Sequence, residues 1–240
     1  MQETYAVVVA AGSGRRLGSE VPKQYLPLAG KPLLIHSLVS LNSHSQVDAI
    51  VLVVGPGWEE RGRQLAHKYK INKLTTVITG GQQRQQSVYR GLLAVPNHGK
   101  IVLIHDGARP FLAADLISRM ITAARRTGAA VPVIPVKDTV KVIGPGGFIK
   151  ETLDRSQLVA AQTPQSFLRD VIIKAHQDAA AERFAGTDDA MLVEKMGLPV
   201  EMVPGDENNI KITTPLDLQW AKLMLGKSDE EREVSRCELE

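Results

Sequence analysis

The chain is short of several things, and each shortage closes off a class of function. It has one cysteine in 240 residues, Cys237, so no disulfide can form within it and a disulfide-stapled secreted scaffold is excluded. Aromatic residues make up 4%, too few for the stacking platforms that bind single-stranded nucleic acid. The six histidines show neither an H-x-x-x-H spacing nor a Cys/His cluster, which argues against a zinc centre. No G-x-S-x-G nucleophile elbow occurs. No apolar run reaches the roughly 20 residues of a membrane span, and no cationic and apolar signal segment opens the chain. The expectation is a cytoplasmic protein with no membrane partner. A basic block is missing too. Formal net charge is +3, and because residues 226–240 hold three basic and six acidic side chains, the rest carries 26 basic against 20 acidic. An excess spread this thinly suits a small polyanionic ligand better than nucleic acid, which favours a clustered stripe.

What is present begins at the start. Val7-Val8-Val9 runs into Ala10-Ala11-Gly12-Ser13-Gly14-Arg15-Arg16, with Pro22-Lys23-Gln24 close behind. A short apolar run ending in small residues reads as a buried strand and a tight turn. Backbone N–H groups in such a turn favour anions. The added cations, Arg15, Arg16 and Lys23, suit a loop that also stabilises charge developing during reaction at phosphorus. A dinucleotide fingerprint does not fit, because Leu17 takes the third glycine position. A P-loop does not fit either, since Lys23 lies between Pro22 and Gln24. A surface turn with solvated arginines is the plainer alternative.

Further along, apolar β-branched runs alternate with helical patterns. Strands are expected at 5–9, 49–54, 75–78, 101–104 and 130–134, with helices near 33–41, 59–70, 84–94 and 114–127. That alternation predicts an α/β fold, a mostly parallel sheet covered by helices on both faces. Ligands bind such sheets beyond the carboxyl ends of the strands, where Gly12–Arg16, Gly80-Gly81 and His105-Asp106 fall. The rhythm changes after Pro135. Residues 136–142 alternate, a turn follows at Gly144-Pro145-Gly146-Gly147, and 148–153 answers it. This predicts a β-hairpin, too small to be stable alone. It would form an arm reaching onto a second subunit, or else fold back on its own sheet. Helices are expected again at 167–180 and 188–196, and short strands at 199–203 and 209–212. A last helix opens at Thr214-Pro215-Leu216-Asp217, with a Thr cap and Pro in the first turn. Residues 1–225 read as one domain including the arm at about 136–156, and 226–240 as a charged, flexible tail.

Several residues could carry chemistry. Asp106, at the end of a buried run, can hold Mg²⁺ directly or through water, or simply start the next element. His105 reads as packed rather than catalytic, and Arg109 as an anion ligand or a carboxylate's partner. The Gly80-Gly81 turn allows close approach of a planar base, with Ser87 placed to read its edge. Lys211 sits between apolar neighbours, and Arg155 follows Asp154. Thr163-Pro164-Gln165 and Thr187-Asp188-Asp189 read as capped turns first.

Taken in order, these segments resemble the 2-C-methyl-D-erythritol 4-phosphate cytidylyltransferase family over roughly residues 5–225. The resemblance rests on Ala10–Arg16, Pro22-Lys23-Gln24-Tyr25, Gly80-Gly81 with Arg84 and Ser87-Val88, and His105–Pro110. It continues through Asp138–Lys141, Asp154-Arg155, Thr163–Gln165, Thr187-Asp188 and Asn209–Thr213. It implies a Rossmann-like domain of nucleotidyltransferase type with a protruding β-arm that makes a homodimer. It also implies a Mg²⁺-dependent transfer of CMP from CTP to methylerythritol phosphate. By the same resemblance, Arg16 and Lys23 would stabilise the transition state. Ala10, Ala11, Gly12, Ser13, Gly14, Gly81, Gln82 and Ser87 would bind CTP. Arg155 and Lys211 would position the acceptor, Asp106 would lie near Mg²⁺, and Arg109, Thr139, Thr163 and Thr187 would line the acceptor site, some from the partner. Gly107 stands where the family often has alanine, and Gln82-Gln83 where some relatives have acids. A cytidylyltransferase for another polyol phosphate, such as ribitol 5-phosphate, would share the CTP loop, and a silent nucleotide-binding regulator is a second alternative. Arg16, Lys23 and Lys211 are all present, which argues for chemistry.

Overall fold

Strand β1 (Glu3–Ala10) lies inside an eight-stranded sheet and shows why the first apolar run is continuous. Ala6, Val8 and Ala10 point into one buried cluster, Tyr5 and Val7 into another. A strand covered on both faces has no polar side to show. The computed structural model describes residues 3–12 and 21–237.

After β1 come the short strands β2 (Pro27–Leu28) and β3 (Lys31–Pro32), paired with each other, then α1 (Leu33–Ser43), β4 (Ala49–Val54), α2 (Glu59–Lys68), β5 (Leu74–Thr79), α3 (Arg84–Leu93), β6 (Gly99–Asp106), α4 (Ala114–Thr127) and β7 (Ala129–Pro135). The same two-face alternation repeats in β4 and β6: Ile50, Leu52, Ile101 and Leu103 face one way, Val51, Val53, Val102 and Ile104 the other. One face is covered by α1, α2 and α4 and the other by α3 with two later helices. Helix α4 ends where Gly128, at φ 88°, makes the left-handed turn that closes a helix.

The hairpin expected after Pro135 is present as β8 (Lys141–Ile143) and β9 (Ile149–Thr152), turning through Gly146 and Gly147, both at positive φ. It forms a sheet of its own, not paired to the main one. The chain returns through β10 (Val159–Ala161) and β11 (Gln165–Leu168), then α5 (Arg169–Ala181), α6 (Ala190–Lys195), β12 (Glu201–Pro204) and α7 (Pro215–Cys237). The sheet order is β10-β7-β11-β6-β1-β4-β5, with β12 also on β7. Strands β5, β4, β1 and β6 are mutually parallel, while β11 runs antiparallel between β6 and β7.

Three expectations need correction. Phe167 and Leu168 belong to a strand, not to the start of a helix, because pairing with Val102 and Ile101 captures them. The helix expected at 188–196 begins at Ala190, since Asp188 caps it by accepting from the Met191 N–H at 3.0 Å. Residues 209–212 pair with no strand: Ile212 donates to the Ala108 carbonyl at 2.9 Å and the Asn209 side chain to the Thr163 carbonyl at 2.8 Å. Helix α7 starts as expected, the Asp217 carboxylate accepting from Thr213 and Thr214 N–H while Asp217 N–H reaches Thr214 Oγ1. Its backbone continues past residue 226, into the segment read as a tail.

Candidate active site

The strand order reverses at β1. The chain steps from β1 to β4 and β5 on one side, and β6 then falls on the other. A crevice opens at such a switch point, beyond the carboxyl ends of the strands. Here it is a pocket of about 420 Å³ lined from Val9–Gly12, Lys23-Gln24, Gly81–Arg84, Ser87, Asp106, Ala108, Lys211 and Thr213.

Local geometry explains the small residues. The buried Gln24 side chain donates to the Ala10 and Gly12 carbonyls and so fixes the end of β1. A Cβ on Gly80 would come within 2.5 Å of Ala11 Cβ and 2.7 Å of Ser87 Oγ, so only glycine lets the β5 and β1 turns close on each other. Ser87 Oγ accepts from Gly81 N–H at 3.0 Å, and Gln86 Oε1 from the N–H groups of Gln82 and Gln83 at 3.0 and 3.3 Å. These amides are therefore already engaged. What the glycine turn offers a ligand is shape and carbonyl oxygens, a surface suited to a planar base.

The charges converge on Asp106. Its Oδ1 accepts from Arg84 Nε at 3.0 Å and its Oδ2 from Lys211 Nζ at 2.6 Å. Burial alone would push this carboxyl up, but the two cations more than offset it and hold the group ionised, well below the usual carboxylate range. Burial pulls on Arg84 the other way, and Asp189 and Asp106 together keep its guanidinium charged. Lys211 is aimed by its neighbours: Asn209 and Ile212, on either side of it, are fully buried. Lys23 Nζ donates to the Ile212 carbonyl at 2.8 Å, which brings the two lysines to one wall.

Most of the residues expected to bind CTP lie at the pocket: Ala10, Ala11, Gly12, Gly81, Gln82 and Ser87, together with Lys23, Asp106 and Lys211. Ser13, Gly14 and Arg16, with Arg15, lie outside the described residues. The other expected acceptor residues are placed differently. Thr163 is buried behind Asp106; its Oγ1 accepts from the Asp106 N–H at 3.0 Å and lies 3.2 Å from His105 Nδ1. Arg109 sits beneath the pocket, with Nη1 donating to the Asn209 carbonyl at 2.6 Å. Thr187 is exposed beside Met191. Thr139 and Arg155 are exposed at the base of the arm, where Arg155 Nη1 donates to the Lys137 carbonyl at 2.8 Å. His105 is packed, as expected, and burial lowers its pKa to about 4. Sequence reading gave Gln24, Asp189 and Asn209 no role and assigned the Gln/Arg run holding Arg84 no specific chemistry. The available signal for Arg84 was its place as first residue of a helix entered from a glycine turn at a strand end.

Comparison with known proteins identifies the family. Residues 4–227 match the family described as IspD: 2-C-methyl-D-erythritol 4-phosphate cytidylyltransferase. The enzyme of that name from Pelotomaculum thermopropionicum is 46% identical over 226 residues, covering 94% of this chain and 95% of the relative. The one from Geobacillus thermodenitrificans is 45% identical over 221 residues, 92% and 96% of the two chains. Among solved structures, the 4-diphosphocytidyl-2C-methyl-D-erythritol synthase of Anaerococcus prevotii superimposes with a TM-score of 0.83 at 31% identity, covering 94% of this chain and 96% of that one. The Thermus thermophilus cytidylyltransferase does so at 0.76 and 33%, covering 91% and 97%. On sequence and fold, the chain belongs to the 2-C-methyl-D-erythritol 4-phosphate cytidylyltransferase family.

Proposed function

We propose that this chain transfers CMP from CTP to 2-C-methyl-D-erythritol 4-phosphate, giving 4-diphosphocytidyl-2-C-methyl-D-erythritol and pyrophosphate, in non-mevalonate isoprenoid biosynthesis. The observation that carries the reading is the meeting of Lys23, Lys211 and Arg84 in one pocket, between the end of β1 and the Gly80-Gly81 turn.

The chemistry needs no protein nucleophile. An oxygen of the acceptor phosphate forms a bond to the α-phosphorus of CTP, and the bond from that phosphorus to the bridging oxygen of pyrophosphate breaks. Two anions must meet, so the residues' work is positioning and charge stabilisation. The glycine turn takes the base, the Ala10–Gly12 backbone takes the phosphate side, and Lys23 faces the charge that grows at the α-phosphate, a role the family resemblance also assigns to Arg16. Lys211 stands at the junction, held by Asp106 where the acceptor phosphate arrives.

Mg²⁺ fits this donor set. Among the described residues no group of three metal-ligating side chains occurs, but Mg²⁺ bound to a nucleotide takes most of its ligands from phosphates and water and needs only one or two carboxylates. Asp106 is the carboxylate at the pocket, is ionised, and each of its oxygens keeps a free lone pair beyond its cation partner. Bound there, the ion would neutralise charge on the leaving pyrophosphate.

The arm supports a homodimer. Ile143, Phe148 and Ile149 are 80%, 77% and 61% exposed on a hairpin that its own subunit does not cover, and an apolar patch of that kind marks a contact surface. Arg155 and Thr139 at its base would then complete the partner's acceptor site. The cytoplasm is the compartment we assign. The lone cysteine suits reducing conditions, and among the described residues no helix is long and apolar enough to cross a membrane.

Pyrophosphate release with CTP, Mg²⁺ and either methylerythritol phosphate or ribitol 5-phosphate tests the function. Turnover of the first acceptor is expected. Turnover of ribitol phosphate alone would replace the substrate assignment, and CTP binding without turnover of either would make the chain a regulator.

A further inference from the structure

A line of alternating charges runs from the pocket into the interior, and its inner half has no part in the chemistry above. It starts with Lys211 Nζ on Asp106 Oδ2 at 2.6 Å, passes from Asp106 Oδ1 to Arg84 Nε at 3.0 Å, and from Arg84 Nη1 to Asp189 Oδ2 at 2.8 Å. Asp189 Oδ1 lies 3.3 Å from Nε2 of His176, and both of these side chains are 1% exposed. The His176 ring in turn stacks on Tyr89 of α3, with centroids 5.6 Å apart and planes 11° from parallel.

Asp189 is itself held firmly. Its N–H and that of Ala190 both donate to Gln165 Oε1, at 3.1 and 3.0 Å. Gln165 pairs with Ile104 in the ladder between β11 and β6, two residues from Asp106 on the same strand. The two carboxylates that grip Arg84 are therefore fixed to one framework. A guanidinium bound through Nε to one and through Nη1 to the other is set in both position and plane, which a single partner cannot do. Stability is a poor reason to keep such an arrangement, because buried ion pairs are often replaceable by apolar packing at little cost.

We propose that Asp189, with His176 behind it, is a positioning residue for the transfer reaction. It fixes the Arg84 guanidinium, and Arg84 fixes Asp106 and through it Lys211. The proposal rests on the reading of the pocket as a cytidylyl-transfer site. Nucleotide binding draws on the end of β1 and the glycine turn, neither of which touches Asp189. Loosening Arg84 therefore acts on the rate of the bound complex.

The test is a double-mutant cycle on Asp189→Asn and Arg84→Lys, since a lysine cannot span two carboxylates. Each single variant is expected to lower kcat roughly tenfold, with the KM for CTP within about threefold. The double variant should be no worse than the poorer single one. Losses that simply multiply, or a rise in KM that matches the fall in kcat, would overturn the proposal. Side-chain ¹⁵N NMR of the ligand-free protein gives a readout independent of turnover. Exchange of the Arg84 Nε–H with solvent, assigned by its absence in Arg84→Lys, should be at least several-fold faster in Asp189→Asn, and unchanged exchange would mean that Asp189 does not hold Arg84. If the unaltered chain fails to turn over methylerythritol phosphate, the functional reading falls, while the exchange measurement still decides the coupling. Asp189→Ser, which leaves the Asp188 cap of α6 in place, replaces Asp189→Asn if that variant does not fold.

Discussion

The pocket wall and the β8–β9 arm differ in nearly everything that holds structure together. At the pocket, Gln24, Asp106, Thr163 and Asn209 are buried and each makes a side-chain hydrogen bond to another segment of the chain. On the arm, a two-stranded ribbon carries Ile143, Phe148 and Ile149 into solvent. A buried charge must be paired or it costs several kcal/mol, so the pocket is over-determined by its own subunit. A ribbon of two strands is marginal without something to lie on, so the arm takes its purpose from a second surface. One region can be understood from a single chain; the other is half of a contact.

The sharpest way to break the comparison is at Lys23. If the pocket is organised for chemistry rather than for holding nucleotide, Lys23→Ala should lower kcat by ~10³-fold, about 4 kcal/mol of lost transition-state stabilisation. CTP affinity, measured by calorimetry, should change much less. Equal losses in both would make Lys23 a ground-state ligand and the pocket a binding site first.

The arm is tested by removing its apolar surface. Phe148→Asp with Ile149→Asp is expected to give a folded monomer in analytical ultracentrifugation, with unchanged far-UV circular dichroism and a KM for the acceptor raised roughly tenfold or more. A mixing experiment sharpens this. Arg16→Ala and Arg155→Ala subunits, each inactive alone, should on exchange recover about a quarter of full activity, because half the dimers are mixed and each of those has one intact site. No recovery despite proven exchange would mean that Arg155 serves its own subunit.

What the sequence made legible, and what it hid, follows the same division between local and distant causes. Residues 49–54 and 114–127 read directly as a strand and a helix, because burial on two faces and a one-sided apolar stripe are local patterns. Gln165–Leu168 misled because Phe167 and Leu168 continue the apolar period of α5; only their pairing with β6 makes them a strand. Residues 209–212 alternate like a strand yet bond through the Ile212 N–H to the Ala108 carbonyl and through the Asn209 side chain to the Thr163 carbonyl, which no spacing reveals. The pocket's small residues and lysines were visible from motif resemblance. Asp106 and Lys211 are 105 residues apart, and the grip of Asp189 on Arg84 spans the same distance, so the network that organises the charges was invisible until the fold brought it together.

A further expectation is a stability slope that belongs to the pocket wall and not to the arm. His105 is fully buried and its pKa falls to about 4, burial outweighing the pull of Asp106. Its hydrogen bonds suit the neutral ring: Nε2 lies 3.1 Å from the Arg109 carbonyl, leaving Nδ1 to accept from the Thr163 hydroxyl. In the unfolded chain the same imidazole titrates near 6.5. Between those values the unfolded state binds more protons, so stability is full above about pH 6.5 and is lost as pH falls toward 4, by roughly 3 kcal/mol for this group. Below that window the depressed Asp106 carboxyl takes over, its contribution present above its unfolded pKa and lost as the native group is finally protonated. Urea unfolding across pH 4 to 7 should show the first slope in the native chain and a shallower one in His105→Gln. The slope should not vanish, because burial also lowers the pKa of His36 and His44. The arm variant Phe148→Asp should keep the native slope in full, and a change there would mean that the arm is packed against the wall after all.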